Sequence, residues 1–83
     1  MNPATSYQVC YFGLLAERRG LFEETVSSRA VTPAALYAEL DAAHALGLAI
    51  CDFRVAVNDA FVAWDHVLSA GDAIALLPPM SGG

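Results

Sequence analysis

The chain contains no lysine. Its four cations are all arginine, Arg18, Arg19, Arg29 and Arg54, set against nine acidic residues, for a formal net charge of -5 over 83 residues. A balance of that sign opposes binding to phosphate backbones, so nucleic acid is not an expected partner. It suits docking onto a basic protein or the basic mouth of an active site, where complementary potentials speed encounter. Long apolar runs are missing too. None approaches the roughly 20 residues of a membrane helix, so no membrane partner is expected. The opening "MNPATSYQ" has neither a basic leader nor an apolar signal core, which makes a cytoplasmic protein the expectation.

Residues that carry chemistry unaided are scarce. Cys10 and Cys51 lie far apart and form no CxxC or Cys/His cluster, so neither a metal site nor a disulfide is expected, and both read as buried thiols packing as small hydrophobes. Gly13 and Gly20 are too widely spaced to cradle a phosphate. His44 and His66 have no serine or cysteine partner and read as surface or capping residues rather than general bases. Glu23, Glu24 and Asp41 read as solvated charges, on a strand edge and a helix face, and Trp64 as a rim or core aromatic. No bound cofactor is expected. A free-standing enzyme would have almost nothing here to work with.

What is present is the composition of a folded domain: 57% hydrophobic and 16% charged residues, in a length that fits a single unit over residues 1–83. Such a chain buries about two-thirds of its unfolded surface. "YQVCYF" alternates with period two, Tyr7, Val9 and Tyr11 on one face and Gln8, Cys10 and Phe12 on the other, which predicts a strand. "GLLAERRG" reads as a loop, and "LFEETVSSR" as a second strand in a hairpin with the first. The period then changes. Thr32 as N-cap, Pro33 at the first helical position and Gly47 beyond the end frame a helix with Leu36, Leu40 and Ala43 as its stripe. "DFRVAV" and "AFVAW" predict two more strands around an Asn58-Asp59 turn, and Leu68 anchors the polar connection that follows. Ala70-Gly71-Asp72 turns into a last strand, "AIALLP", which Pro78 and Pro79 end because neither can donate to a ladder.

The order strand, strand, helix, strand, strand, strand predicts an α+β fold: a mixed sheet of about five strands with one main helix packed on one face. With the first and last strands parallel and adjacent at the centre, this is the β-grasp, or ubiquitin-like, fold. Residues from about 78 to 83 form a C-terminal tail ending in Gly82-Gly83, suited to threading a narrow space.

The stretch "VAVNDAFVAWDHVLSAGDAIALLPPMSGG" resembles the small subunit of molybdopterin synthase, a ubiquitin-like sulfur-carrier family of molybdenum cofactor biosynthesis. The "VN" turn, "DHVL", "GDAIALLPP" and the Gly-Gly carry the resemblance, and "VCYFG" and "TPAALYAEL" extend it over nearly the whole chain. The diproline distinguishes it from the thiamine sulfur carrier, which shares the fold and the Gly-Gly.

The resemblance implies that the Gly83 carboxylate is activated as an acyl-adenylate, becomes a thiocarboxylate, and donates sulfur to cyclic pyranopterin monophosphate to form the molybdopterin dithiolene. Pro78, Pro79, Met80, Ser81 and Gly82 would carry it into the partner's pocket. The implied partners are the large subunit, two of each in a heterotetramer, a ubiquitin-activating-like adenylyltransferase and a sulfur donor protein. An activated acyl group on this lysine-free chain would meet no side-chain amine. In the family an arginine that meets the large subunit commonly stands at the position of Ala16; here Arg18 and Arg19 lie close by in the same loop. Alternation sends Phe12, Phe61 and Leu77 to the face opposite the helix, as an apolar partner interface. The alternatives are sulfur carriage for thiamine or another pathway, and a β-grasp interaction module with no role in catalysis.

Overall fold

The computed structural model describes residues 4–79. Strands β1 (Thr5–Tyr11) and β2 (Glu23–Ser28) pair antiparallel, Thr5 opposite Ser28 and Cys10 opposite Glu23, as the hairpin reading predicts. The connection between them is not a plain loop. Gly13–Arg19 forms a helix, α1, that buries Leu15 and Ala16. Gly13, at φ +53, turns the chain off β1, and Gly20, at φ +83, closes the helix by donating to the Ala16 carbonyl at 2.9 Å. Seven residues are too few to display a helical period in sequence or to hold a helix by propensity, so packing sustains it.

Helix α2 (Pro33–His44) begins as its sequence dictates, with the Thr32 hydroxyl accepting the Ala35 N–H at 3.2 Å and Pro33 at the first turn. Its buried stripe is Leu36, Tyr37 and Leu40; Ala43 is exposed. The difference arises because the helix stops at His44. Ala45 takes the left-handed conformation, its N–H meeting the Asp41 carbonyl at 2.7 Å, and Leu46 beyond it fills the core. The Asp41 carboxylate accepts the Gly47 N–H at 2.8 Å, so it is a clasp at the helix end rather than a solvated charge.

A 3-10 turn at Ile50–Asp52 precedes β3 (Arg54–Val57), which Asn58 and Asp59, both at positive φ, link to β4 (Ala60–Val62). Strand β5 (Ala73–Leu77) follows the turn at Gly71 and stops before Pro78. The sheet order is β2-β1-β5-β3-β4. Strand β5 is parallel to β1, with Val9 opposite Ile74, and antiparallel to β3, with Val55 opposite Leu76. This mixed five-stranded sheet under α2 is the β-grasp arrangement.

The core lies between α2 and the inner face of the sheet, where Tyr7, Val9, Tyr11, Val55, Val57, Ile74 and Leu76 are all buried. Leu68 joins them and ties its connection down through its N–H to the Val31 carbonyl, 2.8 Å. Trp64 packs on Phe53 edge to face, with ring centroids 5.0 Å apart, at the rim of this core. The cysteines depart from expectation. Cys10 is half-buried on the outer face of the sheet and Cys51 is exposed in the 3-10 turn; both are free thiols. Cys10 alternates with Val9 and Tyr11, so core packing of those two forces it outward.

Candidate functional site

Strand β5 carries the chain from the middle of the sheet to the predicted tail. At its end Leu77 and Pro78 are half-buried and Pro79 is exposed. Met80, Ser81, Gly82 and Gly83, the rest of the tail, lie outside the described residues. Leu77, Pro78 and Pro79 share an apolar groove of about 1060 Å³ with Phe12 and with the exposed face of α1, Leu14 and Phe22 among its walls. Phe12 is 48% exposed and Phe22 79%. Glu17 is the charged residue in the groove lining.

Phe61 stands apart from this groove. It is 64% exposed on β4, in a shallower hollow lined also by Ile50, Cys51, Arg54 and Trp64. The Arg54 guanidinium lies over its ring, 5.2 Å from the centroid. Arg54 is the register partner of Leu77. The three residues predicted for the interface are thus exposed or half-exposed, with Phe12 and Leu77 at one groove and Phe61 across Arg54 from them.

The groove's wall is fixed by charge. Arg19 of α1 grips the Glu24 carboxylate through Nε and Nη2, both at 2.8 Å, and the Tyr11 hydroxyl donates to the same carboxylate at 2.6 Å. Glu24 is therefore a paired, half-buried anchor joining α1, β1 and β2, not a solvated edge charge. Arg19 holds the Glu24 carboxyl below the usual range, while burial, then the bond to Glu24, pushes the Tyr11 phenol well up. Arg18 donates to the Leu46 carbonyl at 2.6 Å. Arg19 is tied to Glu24, Arg18 is exposed with one donor on the Leu46 carbonyl, and Ala16 itself is buried.

Burial, and then Glu23, raises the Cys10 thiol away from its reactive form. His66 is exposed and His44 sits in the last turn of α2. Among the described residues no group of three or more His, Cys, Asp or Glu side chains could hold a metal ion, and no helix is long and apolar enough to cross a membrane. Sequence reasoning missed the contribution of Leu14, Phe22 and Arg54. The available signal was Leu14-Leu15 between two glycines, one leucine facing in and one out.

The ThiS family model matches residues 9–83. The chain belongs to the ThiS family. Its fold and this match make it a ubiquitin-like sulfur carrier. Among solved structures it is similar to small archaeal modifier protein 1 from Haloferax volcanii, at 28% identity and a TM-score of 0.79 over 94% of this chain and 99% of that one. A Pyrococcus furiosus protein described as molybdopterin converting factor subunit 1 is 26% identical, with a TM-score of 0.76 over 92% and 99% of the two chains. A chain from the complex of subunits 1 and 2 of the Helicobacter pylori molybdopterin-converting factor is 26% identical, with a TM-score of 0.66 over 95% and 100%. No curated protein matches the chain.

Proposed function

We propose that this ThiS-family carrier is the sulfur-donating subunit of molybdopterin synthase. The observation that supports this most is the course of β5, which brings Leu77, Pro78 and Pro79 from the sheet centre to an exposed apolar groove. Gly83 follows four residues after Pro79. The diproline of "LLPPMSGG" and the likeness to the Helicobacter pylori subunit complex favour this pathway over thiamine synthesis.

An ionised carboxylate, with an ordinary pKa of about 3.5, is a poor electrophile at neutral pH. In this reading the Gly83 carboxylate attacks the α-phosphorus of ATP on a ubiquitin-activating-like partner, and pyrophosphate leaves. Sulfur from a donor protein, delivered at the oxidation level of sulfide, displaces AMP from the acyl carbon. The resulting thiocarboxylate sulfur is the nucleophile that attacks cyclic pyranopterin monophosphate in the large subunit's pocket, on the way to the dithiolene. Gly82 and Gly83 lack side chains that would obstruct entry, and the two prolines stiffen the approach. The folded domain contributes position and docking rather than an acid or base.

The test is conversion of the pyranopterin by reconstituted large subunit and chemically thiocarboxylated protein. Deleting Gly83, or adding one alanine that displaces the carboxylate by about 3.5 Å, should abolish conversion while changing stability by less than about 0.5 kcal/mol. Full activity in either variant overturns the carrier mechanism. If the wild-type thiocarboxylate is competent only toward another sulfur acceptor, the pathway assignment fails and the carrier remains. Mass spectrometry of protein from its native host should show one oxygen replaced by sulfur.

A further inference from the structure

We infer that Arg54 is the polar specificity contact of the docking face and that the partner meets it with a carboxylate. This rests on the reading that Phe12, Phe61 and Leu77 are covered by the large subunit. Arg54 stands within that surface, opposite Leu77 in the β3–β5 register and over the ring of Phe61. A partner that covers both neighbours also strips water from the guanidinium. The Arg54 guanidinium makes no hydrogen bond or ion pair among the described residues, where its one contact is the Phe61 ring, so none of those residues satisfies its donors. A buried guanidinium without an acceptor is costly, and stacking on a phenyl ring compensates only part of that cost. The partner supplies the missing acceptor, and a carboxylate matches the planar donor fork.

The other cations leave this place to Arg54. Arg19 is bound to Glu24, Arg18 donates to the Leu46 carbonyl, and Arg29 follows β2 at the opposite edge of the sheet from β4. The local sign is therefore the reverse of what the net charge of -5 suggests. A basic partner surface facing the whole domain would repel Arg54 at the centre of contact, and an acidic residue there makes the match orientation-specific.

Isothermal titration of the large subunit with wild type, Arg54→Met, Arg54→Glu and Phe61→Asp tests this, with thermal melts to confirm that each variant folds. Arg54→Met keeps an apolar stem and should weaken binding by about tenfold or more, and Arg54→Glu should weaken it further by like-charge repulsion. Arg54→Met binding as tightly as wild type, or Arg54→Glu binding more tightly, overturns the inference. If that happens while Phe61→Asp still loses binding, the docking face stands and only the carboxylate contact is wrong. Phe61→Asp binding normally, or a wild-type chain that does not bind, overturns the docking face and the contact with it.

Discussion

Arg19 and Glu24 form a two-pronged ion pair, Nε to Oε2 and Nη2 to Oε1, each at 2.8 Å, with both side chains about one-fifth exposed. It fastens α1, and with it one wall of the tail-side groove, to β2. Glu24→Gln removes the charge from this pair and should cost about 1–2 kcal/mol. Because Arg19 lowers the folded carboxyl's pKa, its contribution is complete above the unfolded value of about 4.3 and is lost as pH falls through the lower folded value. Urea midpoints measured across that interval should fall more steeply for wild type than for Glu24→Gln. Parallel curves would show that the pair contributes nothing.

At the alkaline end the sign is opposite. The Tyr11 phenol is pushed up by burial and by its bond to Glu24, and the Tyr37 phenol by burial. A raised folded value means stability that is complete below the unfolded pKa of about 10 and is lost as pH rises through the folded one. Ultraviolet titration should find phenols that ionise later than free tyrosine, and Tyr11→Phe should remove one of them. Ionisation of every tyrosine in the free range, with the fold intact, would contradict the Tyr11–Glu24 bond.

Phe61→Asp places a charge on a residue 64% exposed, so stability should change by no more than about 0.5 kcal/mol. Co-purification with the large subunit should be lost. Normal co-purification would remove β4 from the docking surface.

Gly13 and Gly20 offer a matched pair of substitutions. Both have positive φ, +53 and +83, so alanine is strained at either by about 1–2 kcal/mol. A Cβ at Gly20 meets open space, while one at Gly13 would stand 3.3 Å from the Pro78 ring. Gly13→Ala should therefore lose more sulfur transfer than Gly20→Ala at similar destabilisation, judged by melting and by pyranopterin conversion. Equal activity would mean that α1 does not set the tail's direction.

The strands and α2 were legible because alternation and capping are local properties. Tyr7, Val9 and Tyr11 point inward as their period requires, and Thr32 with Pro33 opens the helix. The parallel contact of β1 with β5 was expected by analogy with the β-grasp pattern, not from any local signal. Local signals failed where a long-range partner decides the outcome. Glu24 looks like its neighbour Glu23 in sequence, and only the fold brings Arg19 and Tyr11 to it. Asp41 looks like a surface acid until the chain turns back at Ala45 and presents the Gly47 N–H. Cys51 looked apolar enough to bury, yet it falls in a turn outside the core. For the site, the sequence motif pointed to Pro78 and Pro79, whereas the groove they line depends on a helix too short to announce itself.

The central place of β5 has a mechanical consequence. It is hydrogen-bonded to β1 on one side and β3 on the other, and its direction leads straight into Pro78 and Pro79. If a partner draws the terminus into a channel, as the proposed function has it, tension runs along the strand axis. Ladder bonds lie across that axis, so the load is shared among them in shear instead of opening them one after another from an end. A tail hung from an edge strand would peel. This one can be pulled taut while the sheet stays closed.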